Sequence, residues 1–476
     1  MLGVVGAAAL ASGLLAVYLV LGQSTFYRTD GFQLVFLYLE RHAWARGDHP
    51  LYLTVAGPFV EALRDTGLGS HRLATVFSAL CTSLATCIVW LHARYARLTR
   101  AATVRWMLLV GLCPAVLLFA TVVEFHAFFL PFAALAFLVA EVLLRQRGGR
   151  ALLVAVVLAL VTFMASLAHG TGNLLVPLLG AWIMGRSDPG LRKHRFALLC
   201  AFAAAHTVFL FLGRPLFLCW IGDPPGSGLV AWLQQWFDAE GWAERVVHLA
   251  LWEVLVPFLP LSLIVLLPFV RKHRWHTGWA IAGFVPYGLL CVLVLRDPEI
   301  DEPMWEHGSY LLPLAIPAGW IVVHSLGHLS HRAWAGVLAL SLVASVTFTL
   351  QHDTRPGEEW GSDARAILDE RSTILWAGSI ELPWALIETP RVRVLHTIEG
   401  WASAAKDFGA WQSATRRLID EHLAGGGRML LSRHARSDLE NPQFKLIGAP
   451  MWAFFEKTWK LQPLQSGGFE GWEMVR

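Results

Sequence analysis

Residues 106–144 read WMLLVGLCPAVLLFATVVEFHAFFLPFAALAFLVAEVLL, and the only charged side chains in that stretch are Glu124 and Glu141. The apolar runs 106–123 and 125–144 are each close to the roughly 20 residues that a helix needs to cross a bilayer. They are joined with almost no loop, so the stretch reads as a membrane hairpin with Glu124-Phe125-His126 at its tip. Arginines bracket it: Arg94, Arg97, Arg100 and Arg105 before, Arg145, Arg147 and Arg150 after. Base therefore gathers at the open end of the hairpin and acid at its tip.

The pattern extends along the chain. Apolar runs at about 1–21, 72–93, 151–168, 173–185, 196–213, 251–270, 277–295, 310–330 and 333–350 join the first two to give about eleven spans. Residues 51–63 form a further apolar stretch that either dips into the membrane or lies along its surface. Over 476 residues the chain is 55% hydrophobic and 15% charged, where soluble domains are about one-quarter charged. Cutting after Gln351 separates a poorly charged part, with 23 Lys+Arg and 18 Asp+Glu, from a tail with 15 and 17. The expected fold is an all-α polytopic bundle over 1–351 followed by a small soluble α/β domain over 352–476. A net charge of +3, without a basic cluster interleaved with aromatics, excludes a nucleic-acid partner. Six cysteines, mostly in apolar runs, show no metal or disulfide spacing.

Fifteen basic residues, including Arg186, Arg192, Lys193, Arg195, Arg271, Lys272, Arg274 and Arg332, fall on alternate turns of the chain. Positive-inside sorting makes those turns cytoplasmic. Of the 18 acids before Gln351, only Glu141 and Asp188 lie near them. The N-terminus is then cytoplasmic, and the long loops and the tail face outward, periplasmic in a diderm cell.

Several polar groups stand at the outer edge. Asp30, in Phe26-Tyr27-Arg28-Thr29-Asp30-Gly31, is either a proton acceptor at the headgroups or an ordinary cap or loop acid. Gly47-Asp48-His49-Pro50-Leu51-Tyr52 reads as a polar turn entering apolar sequence. Glu124 and His126 are costly beside hydrocarbon unless paired or functional, and two residues apart on a continuous helix they would face different ways. His169-Gly170-Thr171-Gly172-Asn173 reads first as a structural turn. Arg72, Arg214, Arg245 and Arg296 are candidates to grip a phosphate or to satisfy an acid. Asp297, Glu299, Asp301, Glu302 and Glu306 fit no established calcium loop, so the cofactor is unknown and a divalent cation stays open.

Taken in order, these pieces resemble the GT-C superfamily of membrane glycosyltransferases, the group of dolichyl-phosphate-mannose-protein mannosyltransferases and aminoarabinose transferases. The matching elements are Asp30-Gly31 after the first span, His49 to Tyr52, His71-Arg72-Leu73, Cys113-Pro114, Glu124-Phe125-His126-Ala127 and Tyr310-Leu311-Leu312-Pro313, together covering residues 1–350. The chain has one proline where the family often has two after His49, and Ser309 where it often has arginine. The resemblance implies a polyprenyl-phosphate sugar donor and a glycan, lipid or protein acceptor. It makes Asp30 the base and Glu124 an assistant that orients acceptor or base, with His49, Tyr52, Arg72, His126, Arg296 and Tyr310 in substrate binding. A transporter or flippase would instead carry mid-span charges and internal repeats; a third reading is a non-catalytic relative that presents its tail.

The tail alternates strand-like segments at 372–378, 392–398 and 428–432 with helical patterns at 381–389 and 402–424. Gly425-Gly426-Gly427 is a helix stop before a strand, and the expectation is a small parallel α/β layer.

Overall fold

The computed structural model describes residues 3–23, 31, 34, 50–186, 189–221, 250–262, 308–351, 367–369, 371–376, 393–397, 407–440, 447–466 and 469–475. Two compact units emerge, one of Met1–Gln23, Tyr38–Arg296 and Trp305–His352, the other of Ser24–Leu37, Asp297–Met304 and Asp353–Arg476.

The first unit is helical. Its described helices are α1 Val4–Val20, α2 Pro50–Ala62, α3 Ser70–Tyr95, α4 Arg100–Gly111, α5 Pro114–Ala120, α6 Phe125–Arg145, α7 Gly148–Ala168, α8 Leu175–Arg186, α9 Arg192–Val208, α10 Arg214–Trp220, α11 Ala315–Ser325 and α12 His331–Gln351. A π-turn at Phe209–Gly213 joins α9 to α10. Among the described residues, α3, α6, α7, the α9–α10 pair and α12 are long and apolar enough to cross a membrane. Helices α4 and α5, bent by 63° at their break, would make a sixth span. The expected count of eleven is not reached there: the run 277–295 and much of 251–270 lie outside the described residues. The run 173–185 forms the 12-residue α8, about 18 Å long and too short to cross alone.

The run 106–123, read as one span, is instead broken. Pro114 has no N–H and pushes Cys113 into an extended conformation (φ −67°, ψ 133°). Within a bilayer the freed backbone groups need partners from the protein. Tyr18 Oη donates to the Gly111 carbonyl at 2.9 Å, and Ser341 Oγ donates to that of Leu112 at 2.8 Å. Ser345 Oγ also bonds to Leu112, and the Ala115 N–H donates to the Pro257 carbonyl at 2.8 Å.

Helix α3 faces its neighbours with small hydroxyl side chains. Thr82 and Thr86 return their hydroxyls to α3's own carbonyls, and Ser83 donates across to Ala11 of α1 at 3.1 Å. Small residues let the helices approach closely where lipid supplies no hydrophobic drive. By contrast α9, α10, the π-turn between them and α12 expose Phe196, Phe211, Leu212, Leu216, Leu340 and Val343, apolar side chains suited to lipid.

The basic end of the bundle is tied by one buried acid. Glu141 of α6 pairs with Arg186 of α8 and, at 3.1 Å, with Arg145, while His92 Nε2 of α3 lies 3.7 Å away. Arg186 also lies over the rings of Trp182 and Trp320. Buried Arg195 donates to the carbonyls of Leu143, Leu144 and Gln146, closing the C-terminal end of α6.

In the second unit a five-stranded sheet runs β2-β1-β3-β5-β4, with β1 Ser372–Trp376, β2 Arg393–His396, β3 Arg428–Ser432, β4 Lys460–Ser466 and β5 Phe469–Val475. Helix α13 Phe408–Ala424 is capped by Asp407, whose side chain accepts from the Ala410 N–H. It stops at Gly425, and Gly426 takes the positive φ of 78° that the turn requires. Trp411, Ile419, Met429, Leu431, Trp452 and Phe455 form part of the core between sheet and helices. The expected parallel layer is corrected: β1, β2 and β3 are parallel, but β5 joins β3 antiparallel and pairs with β4 as a hairpin. Pro463 hid β4 from a pattern reading, because proline argues against a strand except at a sheet edge, which is where β4 lies. The helical pattern at 381–389 is outside the described residues.

Candidate functional site

The hairpin tip holds the site. Glu124 is not on a helix; at φ −160° and ψ 149° it is the N-cap of α6, and its Oε2 accepts the Phe125 N–H at 2.9 Å. The same oxygen lies 3.1 Å from His126 Nδ1. This corrects the expectation that the two side chains diverge: an extended residue ahead of the helix lets its carboxylate turn back over the first turn. Both are buried, at 3% and 1% exposure. A carboxylate only accepts, so Nδ1 of His126 carries the shared proton.

Three elements wall in this pair. Ser78 of α3 brings its hydroxyl to the Glu124 carbonyl at 3.4 Å. The turn at 169–173 places the His169 ring 4.7 Å from that of His126, centroid to centroid. His169 Nδ1 accepts the Thr171 N–H at 3.2 Å, which puts the His169 proton on Nε2. Tyr310, in the 3-10 segment Ser309–Leu314, meets His126 edge-on at 5.3 Å and His169 at 5.1 Å. Phe119, Phe125 and Phe129 complete an aromatic surround. Such walls lower the local dielectric and strengthen the Glu124–His126 interaction.

Tyr52 flanks the site from α2, with its ring edge-on to Phe77 at 5.9 Å and Phe128 at 5.7 Å. It is fully buried, and its hydroxyl has no hydrogen-bond partner among the described residues. Arg72 is exposed in the first turn of α3, about 9 Å along the axis from Ser78 at 1.5 Å per residue. Asp30, His49, Arg296 and the acidic run 297–306 lie outside the described residues. Among the described residues, this site included, no group of three His, Cys, Asp or Glu side chains comes together to hold a metal.

Sequence reasoning missed two supports. Buried Glu253 accepts the Gly308 N–H at 2.6 Å and so anchors the segment that presents Tyr310; the two are 55 residues apart, with no local signal. His169 was read as part of a turn, and it is both turn and wall. The turn packs so tightly on α7 that a Cβ at Gly172 would overlap the backbone of Ala165 and Ser166. In Gly172→Ala the His169 ring is expected to be displaced by about an ångström, a shift that costs about 10²-fold when it misaligns a reacting pair. Steady-state activity of the purified variant checks this, and wild-type turnover would show His169 to be dispensable.

No family model matches the sequence, and no curated protein does. Solved structures do: the aminoarabinose transferase ArnT of Cupriavidus metallidurans, solved bound to undecaprenyl phosphate, superposes with a TM-score of 0.56 over 98% of this chain and 97% of that chain at 11% identity. The same protein in its apo state gives 0.56 at 12% identity over the same shares. The chain has the fold of ArnT. At this identity the likeness is one of architecture, and it spans both the helical unit and the tail. Within this fold the Glu124–His126 pair sits at the N-terminal end of α6, where an apolar helix begins and a buried acid and imidazole answer each other.

Proposed function

We propose that this protein transfers a sugar from a polyprenyl-phosphate-linked donor to an acceptor hydroxyl at the outer face of the cytoplasmic membrane, inverting the anomeric carbon. The observation that carries the reading is a buried carboxylate–imidazole pair at the tip of a membrane hairpin, in a fold whose solved example binds undecaprenyl phosphate. The donor comes laterally from the lipid. Asp30 takes the acceptor proton as its oxygen attacks the anomeric carbon and the polyprenyl phosphate leaves. Glu124 holds His126 in one tautomer, and His126, Tyr310 and Tyr52 shape the sugar subsite. His49, Arg72 and Arg296 bind substrate, the arginines neutralising the departing phosphate. Such chemistry asks the protein for position, a base and charge neutralisation, with no nucleotide loop. Residues 1–351 form the transferase domain and 352–476 an extracytoplasmic domain.

The test reconstitutes the purified protein in liposomes with radiolabelled sugar on undecaprenyl phosphate and an envelope lipid or glycan fraction as acceptor. Label is expected to move to the acceptor only with protein present. Labelled donor that crosses the bilayer without acceptor, and is never consumed when acceptor is added, would favour a flippase and overturn the reading.

A further inference from the structure

Helix α14 Arg433–Glu440 lays Arg433, Arg436 and Glu440 along one face, at the i, i+3 and i+7 spacing of a helix stripe. That face stands over the β4–β5 hairpin and leaves an open cleft of about 680 Å³, a volume typical of small-molecule sites, which run from about 300 to 1,000 Å³. Trp472 is partly exposed in the cleft, on the strand position that faces Pro463 of β4. Beside it Gly471 lines the cleft and can carry no side chain, because a Cβ would collide with the Leu431 carbonyl of β3.

The polar groups are arranged in pairs. Arg433 bonds to Glu470 at 2.6 Å, and Arg436 bonds to Glu440 at 2.7 Å. Arg436 is further held over the rings of Trp452 and Trp472, at 5.2 and 5.6 Å. Two cations matched by two anions give a lining of no net charge, so an anionic ligand would have to break existing ion pairs. A metal would find only carboxylates already engaged. Ser437 and the exposed Gln465 add a hydroxyl and an amide, groups that both donate and accept. A rigid amphipathic indole ringed by paired donors and acceptors matches a ligand with apolar faces and many hydroxyls.

We infer that this cleft binds a neutral saccharide chain. It is built from residues of the second unit alone, and binding there does not require the transfer reaction. Binding is measured with the full-length protein in nanodiscs, without sugar donor, using fluorescently end-labelled maltohexaose, cellohexaose and mannohexaose as probes, with inorganic phosphate and a heparin hexasaccharide as anionic competitors. At least one neutral hexasaccharide is expected to bind saturably in the millimolar range or tighter. Trp472→Ala should weaken it tenfold or more, and Gln465→Ala about threefold. Because no donor is present, a protein inactive in transfer would still show this binding. Should Trp472→Ala fail to fold, Gln465→Ala and Ser437→Ala, both at exposed positions, decide the matter. The inference is overturned if no neutral probe binds, if binding is indifferent to these variants, or if only the anions bind and Arg433→Ala abolishes that binding.

Discussion

In the Asp30→Asn variant, sugar transfer is expected to fall by about 10²–10⁴-fold, the range that a positioned general base contributes. Glu124→Gln is expected to lose about 10²-fold, through kcat far more than through KM for the donor. The two losses differ in origin. An asparagine at position 30 cannot take a proton from the acceptor. A glutamine at position 124 still offers a carbonyl oxygen to the Phe125 N–H and so keeps the cap of α6. What it loses is the negative charge that strengthens the hydrogen bond to His126 Nδ1 across 3.1 Å. Both variants should elute and melt like wild type, so that lost turnover reports chemistry. Full activity of Asp30→Asn would remove it as base, and full activity of Glu124→Gln would reduce that residue to a helix cap.

Glu141→Gln is expected to act oppositely, on stability and little on turnover. Glu141 is about 24 Å from the hairpin tip, sixteen residues along α6 at 1.5 Å each, and it is 2% exposed. Removing its charge leaves Arg186 and Arg145 facing a buried amide. Breaking one side of a buried ion pair costs about 3–5 kcal/mol. The measurement is the folded fraction in a denaturing-detergent titration, followed by kcat of the folded fraction. Pairing the change with Arg186→Met should recover much of the loss, because the stranded charge is then gone. A single variant as stable as wild type would show the cluster to be solvated rather than buried.

The apolar helices of the first unit were legible because a bilayer imposes length and polarity on sequence. The run 106–123 read as one span, and what makes its 63° break tolerable is the hydroxyls of Tyr18 and Ser341. These lie 93 and 229 positions from the carbonyls they satisfy, and no local pattern links them. At the site, Glu124 and His126 were legible as residues but not as a pair, because their meeting depends on the backbone leaving the helix between them. His169 was hidden by ordinariness, since a turn histidine looks alike whether it supports a site or merely faces water, and Glu253 by its place in an apolar run, where its partner Gly308 is 55 residues away. In the tail, the strands that alternate with helices were readable, and the hairpin with proline in its edge strand was not.

The break between α4 and α5 also bears on how the protein is made. Its carbonyls are completed by Tyr18, near the start of the chain, and by Ser341 and Ser345 in the last helix of the bundle, while Gln23 Nε2 reaches the Thr349 carbonyl at 3.3 Å. A nascent chain that has inserted α1 through α11 still holds an unanswered Leu112 carbonyl. Insertion of α12 therefore completes the break, and a product cut before residue 331 would leave the Leu112 carbonyl without the hydroxyls that answer it.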